Sequence, residues 1–375
     1  MKLASNRFTR YLALLIAAFC FYRADAQKED DWQAPPSLSI HGFLDVFYIY
    51  DFNKPEGGFR QEFLFNHNRH NEFNLNLGLM GLQLDHAKYR ARFTLQAGTY
   101  ANDNYANETG VFRNVFEAWA GLALNRSNTL WIDAGVLPSH LGFESAVSMD
   151  NWTLTRSLSA ENSPYYLTGA RLSYQPGDAW EVAALLVNGW QRIQRVEGNS
   201  LPSFGTQVKY SASDRLMLNW STFIGTDDPD PTRRMRYFSN LYGQVQLTER
   251  LGLLAGIDLG LQQQSKGSAS YDFWFVPTVI GQYMLDARWK TALRLEYYQD
   301  AEGVIISADG PDGFQTTGVS WNLDYAPAAT VACRVEARWM GSPNPVFRAV
   351  GGPKDESFFI GMSMAMKLDR GLGRP

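Results

Sequence analysis

The sequence predicts an all-β chain: a transmembrane, antiparallel, up-and-down β-barrel of about 16 strands, with short periplasmic turns and long extracellular loops. Three observations carry this. Apolar and polar residues alternate with a period of two through most of the chain. The connections between the alternating runs are short and long by strict turns. An export signal precedes a sequence rich in aromatics, in which no apolar run approaches the twenty residues of a transmembrane helix.

Residues 1–26 read as a signal peptide. Lys2, Arg7 and Arg10 form the positive start, Tyr11–Tyr22 the apolar stretch, and Ala24-Asp25-Ala26 the cleavage site. Cleavage near Ala26 leaves a periplasmic segment, 27–37, before the barrel. The formal charge of −4 becomes −7, thirty Lys and Arg against thirty-seven Asp and Glu. That acidity argues against a nucleic-acid partner. Cys333 alone remains, which excludes an internal disulfide framework and a cysteine-rich zinc site.

The strands are expected to start near Leu38, Glu72, Lys88, Phe112, Thr129, Tyr165, Ala179, Ser203, Arg215, Arg234, Leu251, Asp272, Trp289, Phe314, Thr330 and Glu356. Short links fall at Asp85–Ala87, Asn125–Asn128, Gln175–Asp178, Ser211–Asp214, Thr248–Arg250, Asp286–Arg288 and Ala326–Ala329. Long ones fall at Asp51–Asn71, Tyr100–Val111, Pro138–Pro164, Trp190–Pro202, Thr226–Arg233, Gln262–Tyr271, Gln299–Gly313 and Gly341–Asp355. A secreted sandwich has no reason to sort its loops this way, whereas an outer-membrane barrel does. One barrel domain, 38–368, and a short tail, 369–375, result.

The faces agree. Trp289, Thr291, Leu293, Leu295 and Tyr297 oppose Lys290, Arg294 and Glu296; Val331, Cys333, Val335, Ala337 and Trp339 oppose Arg334, Glu336 and Arg338. Ionised residues on the inner face need water, and about sixteen strands enclose an aqueous channel. Two stretches fit less well. Asn74–Leu84 slips register near Gly81, and Asp272–Leu285 carries Pro277 and apolar residues on both faces.

The segment 131–176 joins two alternating runs through a long polar and aromatic connection. Its blocks Gly142-Phe143-Glu144-Ser145, Asp150-Asn151-Trp152-Thr153-Leu154-Thr155-Arg156 and Ala160-Glu161-Asn162-Ser163-Pro164-Tyr165 are distinctive. So are Gly42-Phe43-Leu44-Asp45, Tyr50-Asp51-Phe52-Asn53 and Asn188-Gly189-Trp190-Gln191-Arg192-Ile193. On these residues the chain resembles the OmpL-like β-barrel porin family of Gram-negative outer membranes, densely from Gly42 to Tyr210. The resemblance implies a pore whose transported solute is unassigned. One departure is the end of the chain, where 369–375 lacks the terminal aromatic of many such barrels.

Little points to catalysis or metal chemistry. His67 and His70 lie near Glu62 and Glu72 in the first long loop, but the spacing specifies no geometry and a solvated loop is the simpler reading. Ser139-His140 cannot form a dyad by adjacency. Asp227-Asp228-Pro229-Asp230 reads as a solvated acidic turn. No enzyme, cofactor or metal is expected.

Function is therefore expected in the lumen. Inward cations are Arg90, Arg92, Arg171, Lys209, Arg236, Lys290, Arg294, Arg334, Arg338 and Lys367. Inward anions are Asp45, Glu117, Asp133, Glu181, Asp258, Glu296, Asp324 and Glu336. The balance is too even to fix ion selectivity. The Pro138–Pro164 loop is expected to fold inward and narrow the pore. Leu141, Phe143, Val147, Trp152 and Leu154 gain nothing in free water, and Glu144, Asp150 and Glu161 would face Arg90, Arg92 or Arg171 across the channel, with Arg156 opposing. The expectation is a passive porin for small hydrophilic solutes, with outer-membrane lipid around it. A sugar-selective channel using Trp190 and Trp152, a loop-plugged surface barrel or adhesin, and assembly as a homo-oligomer stay open.

Overall fold

The computed structural model describes residues 32–308, 310 and 312–371; the expected signal peptide and the last four residues lie outside them. The strands are β1 (Ser37–Asp51), β2 (Phe73–Asp85), β3 (Tyr89–Ala97), β4 (Val115–Ala123), β5 (Leu130–Pro138), β6 (Tyr166–Gly177), β7 (Trp180–Val187) and β8 (Ser203–Ser213). They continue as β9 (Leu216–Gly225), β10 (Arg236–Gln246), β11 (Leu251–Gln263), β12 (Tyr271–Met284), β13 (Trp289–Asp300), β14 (Phe314–Ala328), β15 (Val331–Gly341) and β16 (Glu356–Gly371). Each pairs antiparallel with its sequence neighbours, and β1 pairs with β16 to close the barrel. Closure leaves no strand edge unpaired, as a bilayer demands. The last strand takes in Asp369–Gly371, expected as tail: Asp369 pairs with His41 and Gly371 with Ser39.

Eight long connections lie at one end: L1 (52–72), L2 (98–114), L3 (139–165), L4 (188–202), L5 (226–235), L6 (264–270), L7 (301–313) and L8 (342–355). Tight turns close the other end. Short helices α1 (Thr99–Asn104) and α2 (Leu158–Glu161) sit in L2 and L3.

The outer face is apolar and uncovered by protein: Leu44, Met80, Phe93, Leu218, Leu293 and Met362 all point out. Aromatics flank this belt. Trp180 with Tyr210 and Trp289 with Tyr325 pair near the short turns; Tyr50 with Phe52 and Phe52 with Phe358 pair near the long loops. Amphipathic rings at both rims suit the lipid interfaces.

Both irregular stretches have local causes. The slip in β2 lies at Asn76 rather than near Gly81: Asp45 pairs with Leu77 and Val46 with Leu75. The bulge turns both Asn76 and Leu77 inward, where each is fully buried. In β12 the register is continuous across Pro277, which pairs with Ile257. Its inward apolar residues Trp274, Val276 and Ile280 are covered by loops.

The lumen is therefore not lined by water throughout. Toward the loop end, Leu185, Val187, Phe223, Phe238, Trp274, Tyr298 and Met340 of the wall pack with Phe63 and Leu64 of L1, Leu141 and Leu158 of L3, Ile306 of L7 and Phe347 of L8. This is a hydrophobic core inside the barrel, built from the inner faces of β7–β15 and four inward loops. The solvated first loop expected from the sequence is largely buried between Arg60 and Asn68, where Phe63 and Leu64 enter this core.

Candidate functional site: the lumen and its inward loop

L3 leaves β5 and crosses to the opposite wall. The ring of His140 lies against Gly205, and its Nε2 donates to the Thr222 carbonyl at 2.9 Å. Burial lowers its pKa to about 4, so the imidazole is neutral. The His140 carbonyl accepts from Ser221 Oγ at 2.7 Å, and Gly142 N donates to Asn240 at 3.2 Å. Next the loop seats two aromatics on glycines of β11. A side chain at Gly256 would lie 2.8 Å from the Phe143 ring, and one at Gly252 would lie 2.9 Å from the Trp152 ring. Those positions are flat because nothing larger than hydrogen fits beneath the rings.

Beyond Trp152 the anchors are ionic. Arg334 donates to the carbonyls of Ser148 and Asn151 at 2.5 and 3.0 Å while holding Asp324. Leu154 N donates to Asn322 at 2.9 Å. Thr155 donates to Glu336 through its amide at 2.6 Å and its hydroxyl at 2.9 Å. Arg294 donates to Thr153 Oγ1 and the Thr155 carbonyl at 2.7 and 2.6 Å, and pairs with Glu336 at 3.0 Å. Arg338 reaches the Arg156 carbonyl at 3.1 Å and Glu296 at 2.6 Å. Glu296 also accepts from Leu158 N at 2.6 Å, and Asp258 from Ser159 Oγ at 2.6 Å. Buried ions survive only when paired and hydrogen-bonded, and here the loop backbone supplies many of the partners.

The acids and the arginine of L3 take other partners than expected. Glu144 accepts from Ser157 N at 2.8 Å and lies 3.9 Å from Arg294. Asp150 pairs with Lys367 on β16. Arg156 is fully buried and donates to three carbonyls of its own loop, at Ser145, Ala146 and Leu154, so it fixes the loop's shape. Glu161 points up to L1, accepting from the amides of Phe65 and Asn66 at 2.8 and 3.2 Å. Burial raises its pKa to about 7, against those hydrogen bonds and nearby Arg156. None of the three acids pairs with Arg90, Arg92 or Arg171, although Glu144 and Asp150 line the same cavity as Arg92.

Most of the inward charges fall into two groups. Asp258, Arg294, Glu296, Arg334, Glu336 and Arg338 are 0–4% exposed and hold L3. Asp45 is equally buried, bonded to His67 of L1 at 3.0 Å. The second group lies on β3–β7. Arg90 grips Asp133 with two bonds, at 2.8 and 2.6 Å, and stacks 4.3 Å from the Trp131 ring. Arg92 pairs with Glu117 at 3.0 Å and Arg171 with Glu181, and all three arginines keep a quarter or more of the side chain exposed.

Between L3 and the wall of β1–β4 and β16 lies a cavity of about 480 Å³. Its charged lining is His41, Arg92, Glu117, Glu144, Asp150, Lys367 and Asp369. Trp190 packs edge-on against Phe223 and Phe238, with the Arg236 guanidinium 5.0 Å from its ring. The acidic turn of L5 is engaged too: Asp227 holds Arg192 of L4 at 3.2 Å, and Asp228 holds Arg234 at 2.8 Å. Among the described residues no group of histidines, cysteines and carboxylates is placed to hold a metal ion. L1 as a second inward loop was missed from the sequence, although Phe59, Phe63, Leu64 and Phe65 gave the same signal as the apolar residues of L3.

The fold recurs in solved outer-membrane proteins of very different sequence. The outer membrane channel DcaP of Acinetobacter baumannii superposes with a TM-score of 0.60 at 12% identity, covering 92% of this chain and 100% of that one. The anion-selective porin from Comamonas acidovorans gives 0.60 at 9% identity, covering 89% and 100%. The trimer form of OmpT from Vibrio cholerae gives 0.59 at 10% identity, covering 89% and 100%. No curated protein matches the sequence. The family model described as "Putative beta-barrel porin-2, OmpL-like" matches residues 37–368, nearly all of the barrel, and the chain belongs to that family.

Proposed function

We propose that this outer-membrane porin is a narrow passive channel, in which small hydrophilic solutes cross between L3 and the wall of β1–β4 and β16. One observation carries the reading. L3 is fastened to the far wall by buried ion pairs, while its near side borders the cavity of about 480 Å³. Arg92 and Lys367 face Glu117, Asp150 and Asp369 there, so charge of both signs surrounds the passage. Low-dielectric walls strengthen the field of such groups on a passing ion. The chain works by diffusion, without catalysis. Export through the signal peptide at 1–26 and assembly with further copies belong to the same reading. The test is single-channel recording of the wild type and of Lys367→Glu. The expected result is a small conductance whose cation preference rises in the variant and converges with wild type in high salt. Unchanged selectivity would remove Lys367 from the path.

A second reading, a barrel plugged by its own loops, draws on the hydrophobic core in the outer half of the lumen. A folded barrel that is silent in planar bilayers would favour it.

A further inference from the structure

The periplasmic side of L3 contains a second space, distinct from the proposed passage. A cavity of about 770 Å³ lies between residues 149–152 of the loop and the short-turn ends of β12–β15. Its acids are already engaged. Asp324 holds Arg334 through two bonds, at 2.8 and 2.9 Å, and accepts from Asn322. Asp150 is paired with Lys367. Its other cations are not matched in the same way. The Lys290 side chain makes no hydrogen bond or ion pair among the described residues; it faces the cavity from β13, directly across the strand pair from Asp324, which is bonded to Arg334. Arg288 is exposed in the adjoining turn, where its backbone N–H donates to Asp286 at 2.7 Å. Trp152 borders the space, its ring backed by Gly252, and the Gln282 side chain lines it with no hydrogen bond among the described residues.

We propose that this vestibule binds a small cyclic organic anion, a carboxylate carried on a sugar-sized ring. Lys290 takes the carboxylate, because its ammonium is free of an ion pair and a charge-assisted hydrogen bond is stronger than a neutral one. The indole of Trp152 takes an apolar ring face. Gln282 offers both a donor and an acceptor to ring hydroxyls. Inorganic anions lack the ring, and neutral sugars lack the charge, so each meets only part of the site. Bound on the periplasmic side of the constriction, such an anion would meet the site after passing L3.

The proposal rests on the lumen being open to water from the periplasm, as in the reading above, but its test needs no conduction. Titration calorimetry of the detergent-solubilised, folded barrel with D-glucuronate is expected to show saturable binding. Glucose and acetate should each bind about tenfold more weakly or worse, as expected when a charge-assisted hydrogen bond or a ring contact is lost. Lys290→Gln should weaken glucuronate binding about tenfold, and added salt should narrow the gap between variant and wild type. Trp152→Phe, which keeps an aromatic on Gly252, should weaken glucuronate and spare acetate. Faster migration unheated than boiled certifies each variant as folded. Absence of saturable binding, equal binding of glucose, or unchanged affinity in Lys290→Gln would overturn the site. A barrel that binds glucuronate but never conducts would contradict the channel reading alone; a conducting barrel that does not bind would sink only this site.

Discussion

Glu336 is the anchor whose loss should free L3 most directly. Its carboxylate accepts from Thr155 N at 2.6 Å, from Thr155 Oγ1 at 2.9 Å and from Arg294 at 3.0 Å, and it is fully buried. Glu336→Leu keeps the volume and removes the acceptors of all three bonds. Thr155 then loses the partner of its amide, and Arg294 keeps Glu296 at 3.2 Å and Glu144 at 3.9 Å. Breaking a buried pair by removing one partner costs about 3–5 kcal/mol. Water reaching a displaced loop recovers some of this, so the lower end is the fair expectation. About 3 kcal/mol changes the ratio of docked to released loop by roughly a hundredfold. Single-channel recording reads that shift as frequent openings to a larger conductance. Glu336→Gln retains an acceptor for Thr155 and should give an intermediate effect. If folded Glu336→Leu conducts with the same amplitude and noise as wild type, the ionic anchors do not hold the loop against the pore.

Gly256→Leu places a side chain where the Phe143 ring lies, and should raise conductance as Glu336→Leu does; a folded variant of unchanged conductance would show that Phe143 is not needed to seat the loop. The docking of L1 on Glu161 should depend on pH. Its folded pKa of about 7 is raised above the usual 4.5, so this contribution to docking is complete below the usual value and is lost as pH rises through about 7. Protease cleavage within L1 should quicken from pH 6 to pH 8 in wild type and stay flat in Glu161→Gln; a slower cut at pH 8 would reverse the sign of the argument. Cys333 points to lipid, in register with Tyr325, at the level of the Trp289 girdle. A membrane-impermeant maleimide should miss it in intact membranes and should label Lys290→Cys in a Cys333→Ser background; the reverse pattern would show that the strand faces are exchanged.

Much of the barrel was legible because its chemistry is local. A strand with lipid outside and polar groups inside writes a period of two, and β13 and β15 show the predicted faces. Loop sorting gave topology for the same reason, since turns and loops serve different solvents. The destination of L3 was also legible, because Leu141, Phe143 and Leu154 had to be covered somewhere. Its partners were not. Asp150 lies far in sequence from Lys367, as does Thr155 from Glu336, and only tertiary packing brings them together. Inward polarity was over-read as water: Arg294 and Glu296 look the same in sequence whether they face a channel or a docked loop. Gly252 and Gly256 look like weak points in a strand until the two rings above them are known. The apolar inner residues of β12 made that strand ambiguous, and the core they join resolves it.

The most direct test is to replace Met149–Ser159 with a short Gly/Ser link and record single channels. The segment carries the contacts to Asn322, Glu336, Arg294 and Asp258, so its removal unfastens the loop from the far wall and empties that part of the lumen. The account predicts a folded barrel, still migrating faster unheated than boiled, with a clearly larger unitary conductance than wild type. A folded variant with wild-type conductance would contradict it, and would place the narrowest point of the pore somewhere other than L3.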